Sequence, residues 1–215
     1  MSNTLAESKI PRVTEILKPF TSYDQVPKDI LERAAAKGTS VHALCAGIAK
    51  GNWIPDGMIG AELLGFVQSF RKWADLYVKK FVIIEKRYTD KDDKYSGQMD
   101  FVVEGADDKL YLVDLKTGST PQKTHPIQMA AYNSLLMQNQ IFVEAALLVY
   151  LDKEGGHPRV ATLDDEDLQN DLNVFECALH CYEYFKIRKK NGSKQEEYPP
   201  KNPSDNGGTD LHTKG

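Results

Sequence analysis

The chain has 215 residues, 41% hydrophobic and 27% charged, which suits one globular domain with a proper core, or one domain plus an appendage. A formal net charge of −4 excludes a protein coated in basic surface, but not an acidic site beside a local basic groove. No run of residues is apolar enough for a membrane span, and residues 1–10 lack the apolar core of a signal peptide, so a cytoplasmic location is expected.

Residues 1–9 are polar and predicted to be loose, and residues 10–17 (I-P-R-V-T-E-I-L) read as a short apolar turn with Thr14 as its cap. Residues 27–50 are predicted helical. Ile30, Leu31, Ala34, Ala35, Val41, Ala43, Leu44 and Ile48 fall near helical spacing, with Gly38 interrupting the run. This helix carries G-T-S-V-H, and a lone histidine such as His42 is more often structural than a ligand. After a loop over residues 51–60, residues 61–78 form an amphipathic helix. Its stripe is Leu63, Leu64, Val67, Phe70, Trp73, Ala74 and Tyr77, and Lys79 and Lys80 close it. Residues 81–88 are the first strand, in which Glu85 follows three apolar residues and has Lys86 and Arg87 as neighbours to pair with.

The densest signal lies in residues 95–132. Y-S-G-Q-M-D-F-V-V and L-Y-L-V-D-L-K-T-G read as two strands joined by the turn residues Gly105, Ala106, Asp107 and Asp108. Each strand sets an acid among apolar residues, Asp100 and Asp114, and the strand period of two places Lys116 on the face of Asp114. Two carboxylates and an ammonium stabilise a sheet poorly, because buried charge is costly unless paired or bound to metal. They suit a divalent cation beside a group that orients water. Thr117, Gly118 and Ser119 then make an exit turn with hydroxyls and N–H groups able to meet a phosphate. In the helix predicted over residues 124–138, Gln128 and Tyr132 share a face, and His125 is read as solvent-facing.

Residues 143–151 read as an apolar central strand and residues 159–163 as a further strand. Asp164, Asp165, Glu166 and Asp167 cap a long helix reaching about Lys190, with Lys186, Arg188, Lys189 and Lys190 at its basic end. Residues 191–215 are predicted to be a disordered tail, which leaves residues 10–190 as a single domain. Cys45, Cys177 and Cys181 cannot all pair and read as small, reduced core residues on helices. Four thiolates are needed for the usual iron–sulfur cluster, so none is expected.

G-x-x-D, then D-L-K, then Q-x-x-x-Y, with G-T-x-x-H ahead of them, together resemble the RecB-type branch of the PD-(D/E)XK nucleases, including phage-type exonucleases. The resemblance runs from about Gly38 to Leu151. It implies an α/β fold with a restriction-endonuclease-like core, a mixed central sheet flanked by helices. It also implies a Mg²⁺- or Mn²⁺-dependent deoxyribonuclease. Asp100, Asp114, the Leu115 carbonyl and His42 would hold the metal, with Glu85 beside them. Lys116 would hold or activate the attacking water. Gln128 and Tyr132 would position the strand, and Thr117 and Gly118 would contact DNA. The implied substrate is linear DNA, acted on from its ends in phage or bacterial recombination, repair or replication, where a recombination or replication protein could be a partner. Endonuclease action, an inactive DNA-binding module and a purely structural sheet are the alternatives. No G-x-x-x-x-G-K-[ST] loop occurs in these residues, so a fused helicase is not expected.

Overall fold

A computed structural model describes residues 10–21, 23 and 26–190. The predicted loose start and disordered tail lie outside the described residues. Five strands follow in chain order, β1 (Val78–Thr89), β2 (Ser96–Gly105), β3 (Leu110–Lys116), β4 (Ala145–Tyr150) and β5 (Arg159–Leu163), and they neighbour one another in that same order. The β3–β4 pairing is parallel and the other three are antiparallel. The parallel step needs a crossover, which a helix provides. The result is the mixed α/β sheet flanked by helices that the sequence predicts.

One face of the sheet meets α2 (Lys28–Ala49) and α3 (Ala61–Tyr77). Val41 and Cys45 of α2 join Phe66, Phe70 and Trp73 of α3 over Phe101, Val103, Val113, Leu115 and Val149. Phe70 stacks on Phe101 with ring centroids 5.7 Å apart, a contact that adds about 0.5–1.5 kcal/mol to simple burial. The alternating positions of β3 face the other way, toward α4 (Thr124–Gln138), which is the crossover helix. Pro126 sits in the first turn of α4, where its missing N–H has no intrahelical partner to lose. α1 (Val13–Leu17) packs against α4 and β2.

Several boundaries differ from the sequence reading. α2 runs unbroken through Gly38, and its first half is exposed, Ile30, Ala34 and Ala35 included; apolar periodicity there did not mean burial. α3 ends at Tyr77, which is exposed, and Lys79 and Lys80 belong to β1. Lys79 binds Glu104 and Asp108 across the hairpin, a tertiary pairing that a helix-terminus reading could not anticipate. Thr14 lies inside α1, and the cap is made by Glu15, whose carboxylate accepts the Arg12 N–H at 3.0 Å. Cys45 is buried, whereas Cys177 and Cys181 are exposed on α5 (Asp165–Lys190), the face of α5 opposite Phe175 and Leu179. The acids opening α5 do cap it: Asp164 accepts the Asp167 N–H at 2.9 Å and Asp167 accepts the Asp164 N–H at 3.3 Å. The chain divides into two units, Met1–Leu179, which holds the sheet, and His180–Gly215, whose described part is the end of α5. Among the described residues no helix is long and apolar enough to cross a membrane.

Candidate active site

Phe101 pairs with Val113, so Asp100 and Asp114 take the next positions of the β2–β3 ladder. Asp100 accepts the Leu115 N–H at 2.8 Å with one oxygen and meets His42 Nδ1 at 3.0 Å with the other. Asp114 is 4% exposed. Its Oδ1 accepts from Gln128 Nε2 at 3.1 Å. Its Oδ2 lies 2.7 Å from Lys116 Nζ, off hydrogen-bond geometry, and is a buried oxygen with no hydrogen bond. Lys116 Nζ donates to Gln128 Oε1 at 3.1 Å, and Gln128 Nε2 also donates to the Tyr132 hydroxyl at 3.0 Å. One amide on α4 therefore ties the acid and the ammonium of β3 together, and the buried phenol one turn on holds that amide in place.

Burial and neighbouring charge together explain the titration behaviour. Burial raises the Asp114 carboxyl above its ordinary range, with Lys116 pulling against it and Asp100 adding to it. For His42, burial lowers the imidazole, but the hydrogen bond and charge of Asp100, then the charge of Asp114, outweigh it, so the net shift is upward. Burial and then Asp114 raise the Tyr132 phenol, which stays protonated and able to donate. The site thus sets two carboxylates against one ammonium and an imidazole whose proton is held more tightly than usual.

Among the described residues no three His, Cys, Asp or Glu side chains gather as a ready ligand cluster. The groups stand instead as two pairs, His42–Asp100 and Asp114–Lys116. The donor set still suits a hard divalent cation, with two carboxylates and an imidazole, and the buried Asp114 Oδ2 has the Lys116 ammonium beside it but no well-aligned hydrogen bond.

The glycine of the G-x-x-D run has a structural explanation. A Cβ on Gly97 would lie 2.6 Å from Tyr132 Cε1 and 2.7 Å from Cδ1, so only glycine lets the Tyr132 ring rest against β2. A Cβ on Gly38, by contrast, would only reach ordinary contact with Thr117 Oγ1 at 3.4 Å, where α2 passes the exit of β3. Gly118 is exposed in that exit turn.

Glu85 stands opposite Asp100, between the Ile84–Phe101 and Lys86–Met99 pairs, with a left-handed φ of 48°. Strained backbone of this kind gathers at functional sites. Its carboxylate meets Lys50, the residue just after α2, at 3.5 Å, not Lys86 or Arg87. Lys86 lies over the Tyr88 ring and Arg87 donates to Gln98, so both alternative partners are engaged. His125 is half-buried rather than solvent-facing, because its Nδ1 meets the Tyr150 hydroxyl at 3.2 Å. Tyr150 and Arg159, whose guanidinium lies 4.2 Å from the Tyr150 ring centroid, carry no motif and were not anticipated. Only the strand register brings them beside Lys116.

The sequence profile of the PD-(D/E)XK nuclease superfamily matches residues 17–201, most of the chain. The chain belongs to the PD-(D/E)XK nuclease superfamily. PD-(D/E)XK nucleases generally use divalent metals, in keeping with the donor set above. No curated protein matches this superfamily member. Among solved structures, the crystal structure of SSO0001 aligns at 16% identity over 46% of this chain and 50% of its own, with a TM-score of 0.32. The chain thus spans half the length of that structure, and likeness at this level carries no argument.

Proposed function

We propose that this chain is a divalent-metal-dependent deoxyribonuclease that hydrolyses DNA from its ends, in phage or bacterial recombination, repair or replication. The observation that carries the reading is the Asp114–Lys116–Gln128 triangle beside Asp100, with one buried carboxylate oxygen held only by the Lys116 ammonium. A structural sheet gains nothing from that arrangement. Action from ends rests on the resemblance of the ordered motif set to phage-type exonucleases.

Asp100, Asp114, the Leu115 carbonyl and His42 would hold Mg²⁺ or Mn²⁺, with Glu85 nearby. When bound, the ion polarises the phosphate and offsets charge on the attacking and departing oxygens. The chain's own groups do the rest. Lys116 Nζ, fixed by Gln128, orients the attacking water and meets charge building on the phosphate. Asp100, fixed by the Leu115 N–H, keeps its carboxylate plane still. Tyr132 holds Gln128, and Thr117 and Gly118 offer a hydroxyl and an N–H to the DNA backbone.

The test is cleavage of end-labelled linear DNA and closed circular DNA by wild type and Lys116→Ala, with Mg²⁺, Mn²⁺ or EDTA. Metal-dependent loss of the linear DNA alone, reduced at least about 100-fold by the substitution, is expected. Cutting of the circle would overturn the end requirement. DNA binding without cleavage in any metal would favour an inactive binding module on the same fold.

A further inference from the structure

Lys116 pairs with Tyr150 across the parallel β3–β4 ladder, and Tyr150 pairs with Arg159 across the antiparallel β4–β5 ladder. Paired residues share a face, so the three form one row running away from the site, about 5 Å per strand. The Tyr150 ring lies under the Arg159 guanidinium at 4.2 Å, and its hydroxyl also accepts from that fork, which orients the guanidinium while its remaining N–H groups can meet a ligand. Arg159 is exposed and has no carboxylate partner among the described residues. His125 closes the row from α4. Its Nδ1 accepts the Gln122 N–H at 3.4 Å and meets the Tyr150 hydroxyl at 3.2 Å. The ring proton is therefore on Nε2, which has no partner among the described residues. An oriented cation and a free imidazole N–H stand together on the rim of an otherwise acidic site.

We infer that Arg159 and His125, held by Tyr150, form a second phosphate subsite that grips a backbone phosphate flanking the one at Lys116. The inference rests on the nuclease reading for the position of the scissile phosphate. In it Arg159 and His125 are positioning residues: they fix the register of the strand relative to Lys116 and take no part in bond breaking. An Arg–phosphate contact is charge-assisted and can be bidentate, and losing one such contact weakens binding about tenfold and lowers the salt slope by about one.

The experiment uses the full chain in Ca²⁺ buffer with fluorescein-labelled linear oligonucleotides that carry one neutral methylphosphonate at successive positions around the cut. Anisotropy gives Kd as a function of salt, and cleavage in Mg²⁺ gives KM and kcat. Expected for Arg159→Gln is a Kd and KM about tenfold higher with a shallower salt slope, for Arg159→Lys a smaller loss with the wild-type salt slope kept, because the charge stays while the stacked fork is lost, and unchanged thermal unfolding for both. One methylphosphonate position should weaken wild type but leave Arg159→Gln unaffected. The inference is overturned if Arg159→Gln keeps the wild-type salt slope, or if every methylphosphonate weakens both proteins alike. Absence of cleavage by wild type would sink the nuclease reading instead, while the anisotropy measurements would still decide whether Arg159 holds a phosphate.

Discussion

Replacing Gly97 with Ala tests how the site is supported. The added Cβ would stand 2.6 and 2.7 Å from two Tyr132 ring atoms and 3.0 Å from Leu135 Cδ1. Tyr132 is 4% exposed and Leu135 fully buried, so the ring has no solvent to swing into and either β2 or α4 must move. Gly97 does not adopt a left-handed φ, so the effect is steric and carries no backbone penalty. Overpacking of this kind costs about 1–3 kcal/mol, which lowers Tm by roughly 2–12 °C for a domain of this size. Tyr132 holds Gln128, and Gln128 holds Lys116 and Asp114, so cleavage should fall together with stability. The assay is urea unfolding of Gly97→Ala, Tyr132→Leu and the double variant. Removing the ring relieves the clash, so the double variant should lose less than the sum of the two singles. Strict additivity, or a Gly97→Ala change below about 0.5 kcal/mol, would refute the reasoning.

The interior offers three further tests. Gly65 of α3 supports the turn after β4 even more tightly: a Cβ there would fall 1.8 Å from the Lys153 carbonyl oxygen, and since that neighbour is backbone, Gly65→Ala should destabilise by about 3 kcal/mol or more, read by urea unfolding. Burial, then the Lys116 charge, lower His125 from 6.5 to about 4. The unfolded chain therefore takes up a proton that the folded chain refuses between those values, and stability falls as pH drops from 6.5 to 4. Screening reduces the contribution to roughly 1–2 kcal/mol, so His125→Gln should flatten the pH dependence of the urea midpoint across that window; an unchanged slope would count against the burial. Burial also raises the Cys45 thiol far above its ordinary range, while Cys177 and Cys181 are exposed. A thiol reagent should therefore modify two of the three cysteines in the native protein and the third only on unfolding.

The sequence by itself determined the sheet, the order of its strands along the chain and the position of its acids. Those features follow from local rules: alternation places Lys116 on the face of Asp114, turn residues 105–108 close the hairpin, and a four-residue spacing sets Gln128 and Tyr132 on one side of α4. Side-chain partners across elements were not legible, because they depend on register and packing distance. Glu85 meets Lys50 because α2 ends over β1. Lys79 belongs to a strand because its carboxylate partners lie across a hairpin. Only the tertiary structure decided why G-x-x-D needs its glycine, since the Tyr132 ring that excludes a Cβ is 35 residues away in sequence. It also placed Tyr150 and Arg159 beside Lys116, since two strand pairings, one parallel and one antiparallel, bring distant positions of the chain into one row.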